Sequence, residues 1–199
     1  MHYFLFSLAG YLIGSFPTGV VLTRRKYGID VREMGSGNIG ATNVTRVFGW
    51  YAGVLVFVID FLKGAVPLLL LRKYFPEDAW LLTLVGTSLV LGHCFSAYLK
   101  FGGGKGVATS LGCLLAVVPA AALIAAGVYV LLLVTVKISA VGSLGGIIAA
   151  LLYLIIVQPP TPSVTLVLAI SFVVVLRHRS NILRLTADLK NKKFKVRSA

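Results

Sequence analysis

Apolar runs at roughly residues 3–23, 50–71, 80–99, 106–136, 138–157 and 163–176 alternate with short polar segments along this chain. Most approach the ~20 residues a helix needs to cross a bilayer, so each predicts a membrane-spanning helix. The run 106–136 is too long for one crossing and short for two, and the placement of charge decides between them. Arg24, Arg25, Lys26, Arg32 and Arg46 follow the first run, and Arg179, Arg184, Lys190, Lys192, Lys193, Lys195 and Arg197 follow the last. Both segments belong on the cytoplasmic side, which requires an odd number of crossings with the N-terminus outside. Splitting 106–136 near Pro119 into two short helices satisfies this with seven transmembrane helices and a cytoplasmic C-terminus. Gln158, Pro159, Pro160, Thr161 and Pro162 then form an uncharged external loop, and Arg72 and Lys73 also fall outside, near Glu77 and Asp78. The first run has neither a basic leader nor a small-residue cleavage site, so it reads as a retained helix.

Composition agrees with this all-α integral membrane reading. Charged residues are 13% of the chain against 58% hydrophobic, where a soluble domain carries about 25% charge. The net charge of +13 sits in short segments between apolar runs, where cations anchor the chain and meet anions rather than nucleic acid. Cys94 and Cys113 lie in or beside apolar runs and are expected to be buried thiols. The pairs Gly10/Gly14, Gly49/Gly53 and Gly142/Gly146 have the four-residue spacing that lets membrane helices pack closely. Asp60 and Lys63, three apart inside a span, suit a structural ion pair near the helix end or a link to another helix. His93 ends a span beside a glycine-rich loop, as a capping or as a reactive group.

The chemistry is concentrated in three polar clusters that the topology puts on one membrane face: the loop 24–49, the loop 99–106 and the segment 177–199, all within a single membrane-embedded domain, 1–199. In the first, Gly35, Gly37 and Gly40 are interleaved with Ser36, Asn38, Thr42 and Asn43, and Arg46 follows. In the second, Gly102, Gly103, Gly104 and Gly106 surround Lys105. Glycines let backbone N–H groups turn toward one anion, and Lys105 adds a mobile charge where the next helix begins. In the third, His178 lies between Arg177 and Arg179, whose charges favour a neutral imidazole, with Asn181 three residues on. Arg177 and Arg179 themselves read as interfacial anchors. Gly35-x-Gly37-x-x-Gly40 matches a dinucleotide fingerprint, and Asp60 lies about 20 residues on. No strand precedes it, however, and Asp60 falls within a span. Gly104-Lys105 lacks the following Ser or Thr and the earlier glycine of a P-loop.

Together GSGNIGATNVTR, GGGKGVAT after Gly92-His93, and His178-x-x-Asn181-Ile182-x-Arg184-Leu185 resemble the bacterial acyl-phosphate:glycerol-3-phosphate acyltransferase family, and the likeness runs from the first span to the tail. The family often has proline where Ser96 stands, and glycine and glutamate where Asp188 and Lys190 stand. The resemblance implies transfer of a fatty acyl group from acyl phosphate to the sn-1 hydroxyl of glycerol 3-phosphate, giving lysophosphatidic acid at the cytoplasmic face of the inner membrane, without cofactor or protein partner. It implies catalytic roles for Ser36, Arg46, Lys105, His178 and Asn181. It assigns substrate binding to Gly35, Gly37, Asn38, Gly40, Thr42, Asn43, Gly102, Gly103, Gly104 and Gly106.

The residues constrain the mechanism further. An acyl phosphate already carries a good leaving group, so two phosphorylated reactants must chiefly be brought together and their repulsion neutralised. None of His2, His93 or His178 is followed five residues later by Asp, which excludes the His-x-x-x-x-Asp acyl-CoA enzymes. Six acidic residues, unclustered, do not suit a divalent metal. Three routes stay open: His178 as general base, the donor phosphate as base, or a transient acyl group on Ser36. Direct transfer is favoured, because Ser36 has no His–Asp partner in sequence. The rival class is a small transporter of an organic phosphate or other anion.

Overall fold

A computed structural model of the protein describes residues 1–157 and 162–190, which leaves the expected loop at Gln158–Thr161 and the tail beyond Lys190 outside the described residues. The regular elements of the described residues are helices, joined by loops: α1 (His2–Ser15), α2 (Thr18–Tyr27), α3 (Ala41–Phe48), α4 (Trp50–Tyr74), α5 (Ala79–Cys94), α6 (Val107–Val117), α7 (Pro119–Val136), α8 (Ser139–Val157), α9 (Pro162–Arg177) and α10 (Arg179–Lys190). Five stretches are long and apolar enough to cross a membrane: His2–Tyr27, Trp50–Tyr74, Ala79–Leu99, Pro119–Val136 and Ser139–Val157. The pair α9 and α10, bent by 61°, makes a sixth if counted together. The seventh expected segment is present as α6, but at 11 residues it falls short of a full span by length. The break between α6 and α7 comes at Pro119, which occupies the first turn of α7, where its missing N–H costs nothing.

The centre of the molecule is α5. Of its apolar window 61% is buried, against 17% for α7 at the periphery. Leu81, Val85, Leu89 and Val90 of α5 join Leu68 of α4, Leu114 of α6 and Leu166, Val167 and Ile170 of α9 in one core. A smaller core under the first polar loop gathers Val20, Val31, Ile39, Val44, Ala52 and Val56. Small residues set the closest approaches. A methyl group at Gly14 would strike the Leu89 carbonyl, and one at Gly146 would lie 2.7 Å from the Ala125 carbonyl. Gly49 departs from the packing expectation. Nothing lies within 4 Å of its Cβ position, and its φ of +89° makes it the turn between α3 and α4.

At the α4–α6 contact, a Cβ on Gly112 would meet the Phe61 carbonyl and lie 2.8 Å from the Ala65 nitrogen. Backbone cannot retreat as a flexible side chain can. Gly112→Val is therefore expected to cost at least about 1–3 kcal/mol. Its thermal midpoint in detergent should fall clearly below that of the parent, and an unchanged midpoint would show that α4 and α6 do not touch here.

Asp60 lies in the middle of α4 rather than near its end, and it serves the linking role. Its Oδ1 forms an ion pair with Lys63 Nζ and accepts a hydrogen bond from Thr18 Oγ1, both at 2.7 Å. Lys63 also donates to the Phe16 carbonyl at 2.9 Å. Pro17, lacking an N–H, interrupts the helix between α1 and α2 at this point. The buried ion pair thus fastens that break to α4. Arg72 is likewise anchored, donating to the Ala116 carbonyl at 2.9 Å in the last turn of α6. Cys94 and Cys113 are buried free thiols.

Candidate active site

The three polar clusters converge on one cavity of about 830 Å³. Loop residues and helix ends supply a polar wall: Ser36, Asn38, Thr42, Arg46, Lys105, His178, Asn181 and Arg184 all line it. The bodies of α6 to α9 supply an apolar wall that includes Leu111, Leu114, Val130, Leu133, Ile147, Val167 and Ile170.

The first cluster is held from within. Asp30 binds Arg32 through Nη2 at 2.6 Å and Arg24 through Nη2 at 2.7 Å. These bonds, the one from Arg32 foremost, hold its carboxyl well below the usual range, at about 2. Asn43 is buried, and its amide is consumed by the loop: Nδ2 donates to the carbonyls of Met34 at 3.0 Å and Asn38 at 2.9 Å, and Oδ1 accepts the Ser36 N–H at 2.8 Å. Asn38 Oδ1 accepts the Gly40 N–H at 2.9 Å. These two amides shape the loop that carries Ser36, and both residues also line the cavity. Thr42 Oγ1 lies 3.1 Å from Ser139 Oγ, itself 3.1 Å from Tyr129 Oη, so α3 is joined to the α7–α8 pair. Gly35 and Gly37 do not line the cavity. Their φ values of +60° and +70° supply the left-handed turns that bring Ser36 to it.

The second cluster is also arranged differently from the expected cradle of N–H groups. Gly102, Gly103 and Gly104 do not line the cavity, which Lys105 and Gly106 reach. The Gly104 N–H is taken by the His93 carbonyl at 3.0 Å. A Cβ on Gly103 would strike the His93 and Cys94 backbone, and one on Gly104 would strike the His93 imidazole. These glycines are needed because the loop presses flat against the end of α5. Arg177 closes it from the other side: Nε donates to the Gly104 carbonyl at 3.0 Å and Nη2 to the Gly103 carbonyl at 2.8 Å, while the guanidinium lies 5.2 Å from the Phe95 ring centroid. It is a clamp on the glycine loop rather than an interfacial anchor. Lys105 is half-buried, and burial first, then the charges of Arg46, Arg184 and Arg177, lower its pKa from the usual lysine value.

His178 occupies the turn between α9 and α10 and is 1% exposed. Its Nδ1 lies 2.8 Å from the Val174 carbonyl, which can only accept, so Nδ1 carries the proton and Nε2 keeps the lone pair. Burial, and then Lys105, lower its pKa. The neutral form expected from sequence is favoured, but by these causes rather than by Arg177 and Arg179.

A family model described as glycerol-3-phosphate acyltransferase matches residues 4–188. The chain belongs to the glycerol-3-phosphate acyltransferase family. Members include proteins of that name from Trichlorobacter lovleyi, 45% identical over 94% of this chain and 96% of the relative, and from Aquifex aeolicus, 43% identical over 88% and 91%. One from Myxococcus xanthus is 53% identical over 69% of this chain and 71% of the relative. The crystal structure of PlsY, an integral membrane glycerol 3-phosphate acyltransferase in its glycerol 3-phosphate form, superposes with a TM-score of 0.89 at 40% identity, covering 94% of this chain and 93% of PlsY. Its lysophosphatidic acid form gives 0.87.

Relative to this family framework, the structure adds site residues that the sequence reading left out. Asp60, Lys137 and Asp188 line the cavity, and so does His93, whose Nδ1 lies 3.3 Å from Thr109 Oγ1 and 3.8 Å from Asp60 Oδ1. Gly92-His93 standing just before the glycine loop was the available signal for His93. Nothing in the sequence signalled Lys137 or the outward turn of the Gly103 and Gly104 carbonyls.

Proposed function

We propose that this protein transfers a fatty acyl group from acyl phosphate to the sn-1 hydroxyl of glycerol 3-phosphate, releasing lysophosphatidic acid and phosphate. The observation that carries the reading is the single cavity with a cationic wall and an apolar wall. Arg46, Lys105 and Arg184 suit phosphate groups, and the channel between α6, α7, α8 and α9 suits an alkyl chain. Family membership and the likeness to PlsY support glycerol 3-phosphate as acceptor. Seven crossings, counting α6 as a short one, with an outside N-terminus and the cavity's polar end toward the cytoplasm of a bacterial inner membrane, complete the proposal.

The acceptor oxygen forms a bond to the acyl carbonyl carbon, and the bond from that carbon to the phosphate oxygen breaks with its electron pair leaving on phosphate. The hydroxyl proton passes to His178 Nε2 or directly to the phosphate, and neither route needs a covalent enzyme intermediate. Ser36, Arg46, Lys105 and Asn181 position the two phosphorylated reactants and offset their repulsion. Gly40 and Thr42 complete the acceptor side, with Gly106 at the start of α6.

The purified protein given glycerol 3-phosphate with palmitoyl phosphate is expected to form lysophosphatidate, and with palmitoyl-CoA to form none. Product from the CoA thioester alone would overturn the donor assignment. Product from neither, with glycerol 3-phosphate crossing proteoliposome membranes, would establish the transporter instead.

A further inference from the structure

Hydroxyls on the helices of this protein generally find a carbonyl one turn back. Thr87 donates to the Thr83 carbonyl at 2.8 Å, Thr135 to Leu131 at 2.8 Å and Ser143 to Ser139 at 2.9 Å. Others reach across to a neighbouring helix, as Thr109 does to the Asp60 carbonyl at 3.0 Å, but Ser110 on α6 does neither. It is 7% exposed, and its Oγ is the one fully enclosed side-chain polar atom without a hydrogen-bond partner among the described residues. Such groups are uncommon, because enclosure removes water without replacing it.

Ser110 lines the active-site cavity, and the helix register fixes its depth. A Cβ on Gly106 would lie 3.6 Å from Val174 Cγ2, so the start of α6 stands beside the α9 turn whose carbonyl holds His178. From there α6 runs away from Lys105 and the glycine loop, and Ser110 is four residues, about 6 Å, further along. Beyond it come Leu111 and Leu114, both in the apolar wall. Ser110 therefore marks the boundary between the groups suited to phosphate and the channel suited to an alkyl chain. In an acyl phosphate that boundary is the carbonyl, two bonds from phosphorus.

We propose that Ser110 is a catalytic residue for the donor: rotation about its χ1 turns the enclosed Oγ–H into the cavity that the residue lines, where it donates a hydrogen bond to the acyl carbonyl oxygen. The assignment deepens the acyl-phosphate reading above and rests on it. As the acceptor oxygen bonds to the carbonyl carbon, the carbonyl π pair moves onto that oxygen, and it returns as the phosphate departs. The Ser110 proton stays on Ser110 throughout, and its bond strengthens while the oxygen is most negative.

The test compares the parent with Ser110→Ala and Ser110→Thr, using palmitoyl phosphate and glycerol 3-phosphate. Ser110→Ala is expected to lower kcat/KM for palmitoyl phosphate by about 10²-fold, the effect of losing one such donor. The KM for glycerol 3-phosphate should stay unchanged, and the thermal midpoint should hold or rise, since the enclosed hydroxyl gives the fold nothing. Ser110→Thr keeps the hydroxyl and should recover most of the loss. A bound acyl phosphonate labelled with ¹³C at its carbonyl should show a lower stretching frequency in the parent than in Ser110→Ala. Parent-like donor kinetics in Ser110→Ala, or an equal rise in both KM values, would overturn the role of Ser110 alone. A parent enzyme that makes no product from palmitoyl phosphate would overturn the donor reading and this proposal together.

Discussion

Replacing Arg46 with alanine is expected to cut lysophosphatidate formation at subsaturating glycerol 3-phosphate by about 10²- to 10³-fold without lowering the thermal midpoint. Arg46, Lys105 and Arg184 face the same cavity, and the charges of Arg46 and Arg184 both disfavour the protonated form of Lys105. Like charges gathered this way oppose one another until an anion arrives, so removing one relieves the fold while weakening phosphate binding. The pH profile separates this from a packing defect. Lys105 has its pKa lowered from 10.5, so it loses its proton at a lower pH than an ordinary lysine. The alkaline limb of kcat/KM should accordingly lie below that value in the parent, and it should move upward in Arg46→Ala, where burial remains but one repelling charge is gone. A limb that stays in place would show that Lys105 does not govern it.

Gly103→Ala carries the second large effect. The added methyl would collide with the His93 and Cys94 backbone, so the loop must lift from the end of α5. Arg177 then loses its paired carbonyl acceptors, and Lys105, two residues on, is carried away from Arg46 and His178. A displacement near 1 Å at a reacting site costs about 10²-fold in rate. The expected result is a loss of that order with a raised KM for glycerol 3-phosphate. An unaltered KM would mean that the loop does not fix the acceptor site.

The helical membrane architecture was legible because hydrophobic length and the positions of arginine and lysine are direct consequences of bilayer physics. Pro119 carried the break between α6 and α7 openly in the sequence. The number of full crossings was less legible, since an 11-residue helix such as α6 is defined by its packing on α4 rather than by its hydropathy. At the site, Ser36, Arg46, Lys105, His178 and Asn181 were each visible as polar or charged residues out of place in an apolar chain, and the structure brings all five to one cavity. What could not be read was the direction of backbone groups. A glycine run looks the same whether its N–H groups cradle an anion or its carbonyls meet Arg177. Asn43 likewise gave no sign in the sequence of its bonds to the Met34 and Asn38 carbonyls, which tie the loop together.

The shortage of carboxylates in this chain has an electrical consequence. Of six acidic residues, Asp30 is committed to Arg24 and Arg32, Asp60 to Lys63 and Thr18, and Asp78 to the Tyr3 hydroxyl and the Leu81 N–H. Asp60 and Asp188 are the acidic residues that line the cavity, and of these Asp188 lies on α10 with Arg184. The polar end of the cavity, with Arg46, Lys105, Lys137 and Arg184, thus carries more fixed positive charge than its own carboxylates offset. Neutrality at the site has to be imported, and whichever small anion occupies it sets how available the pocket is to the next.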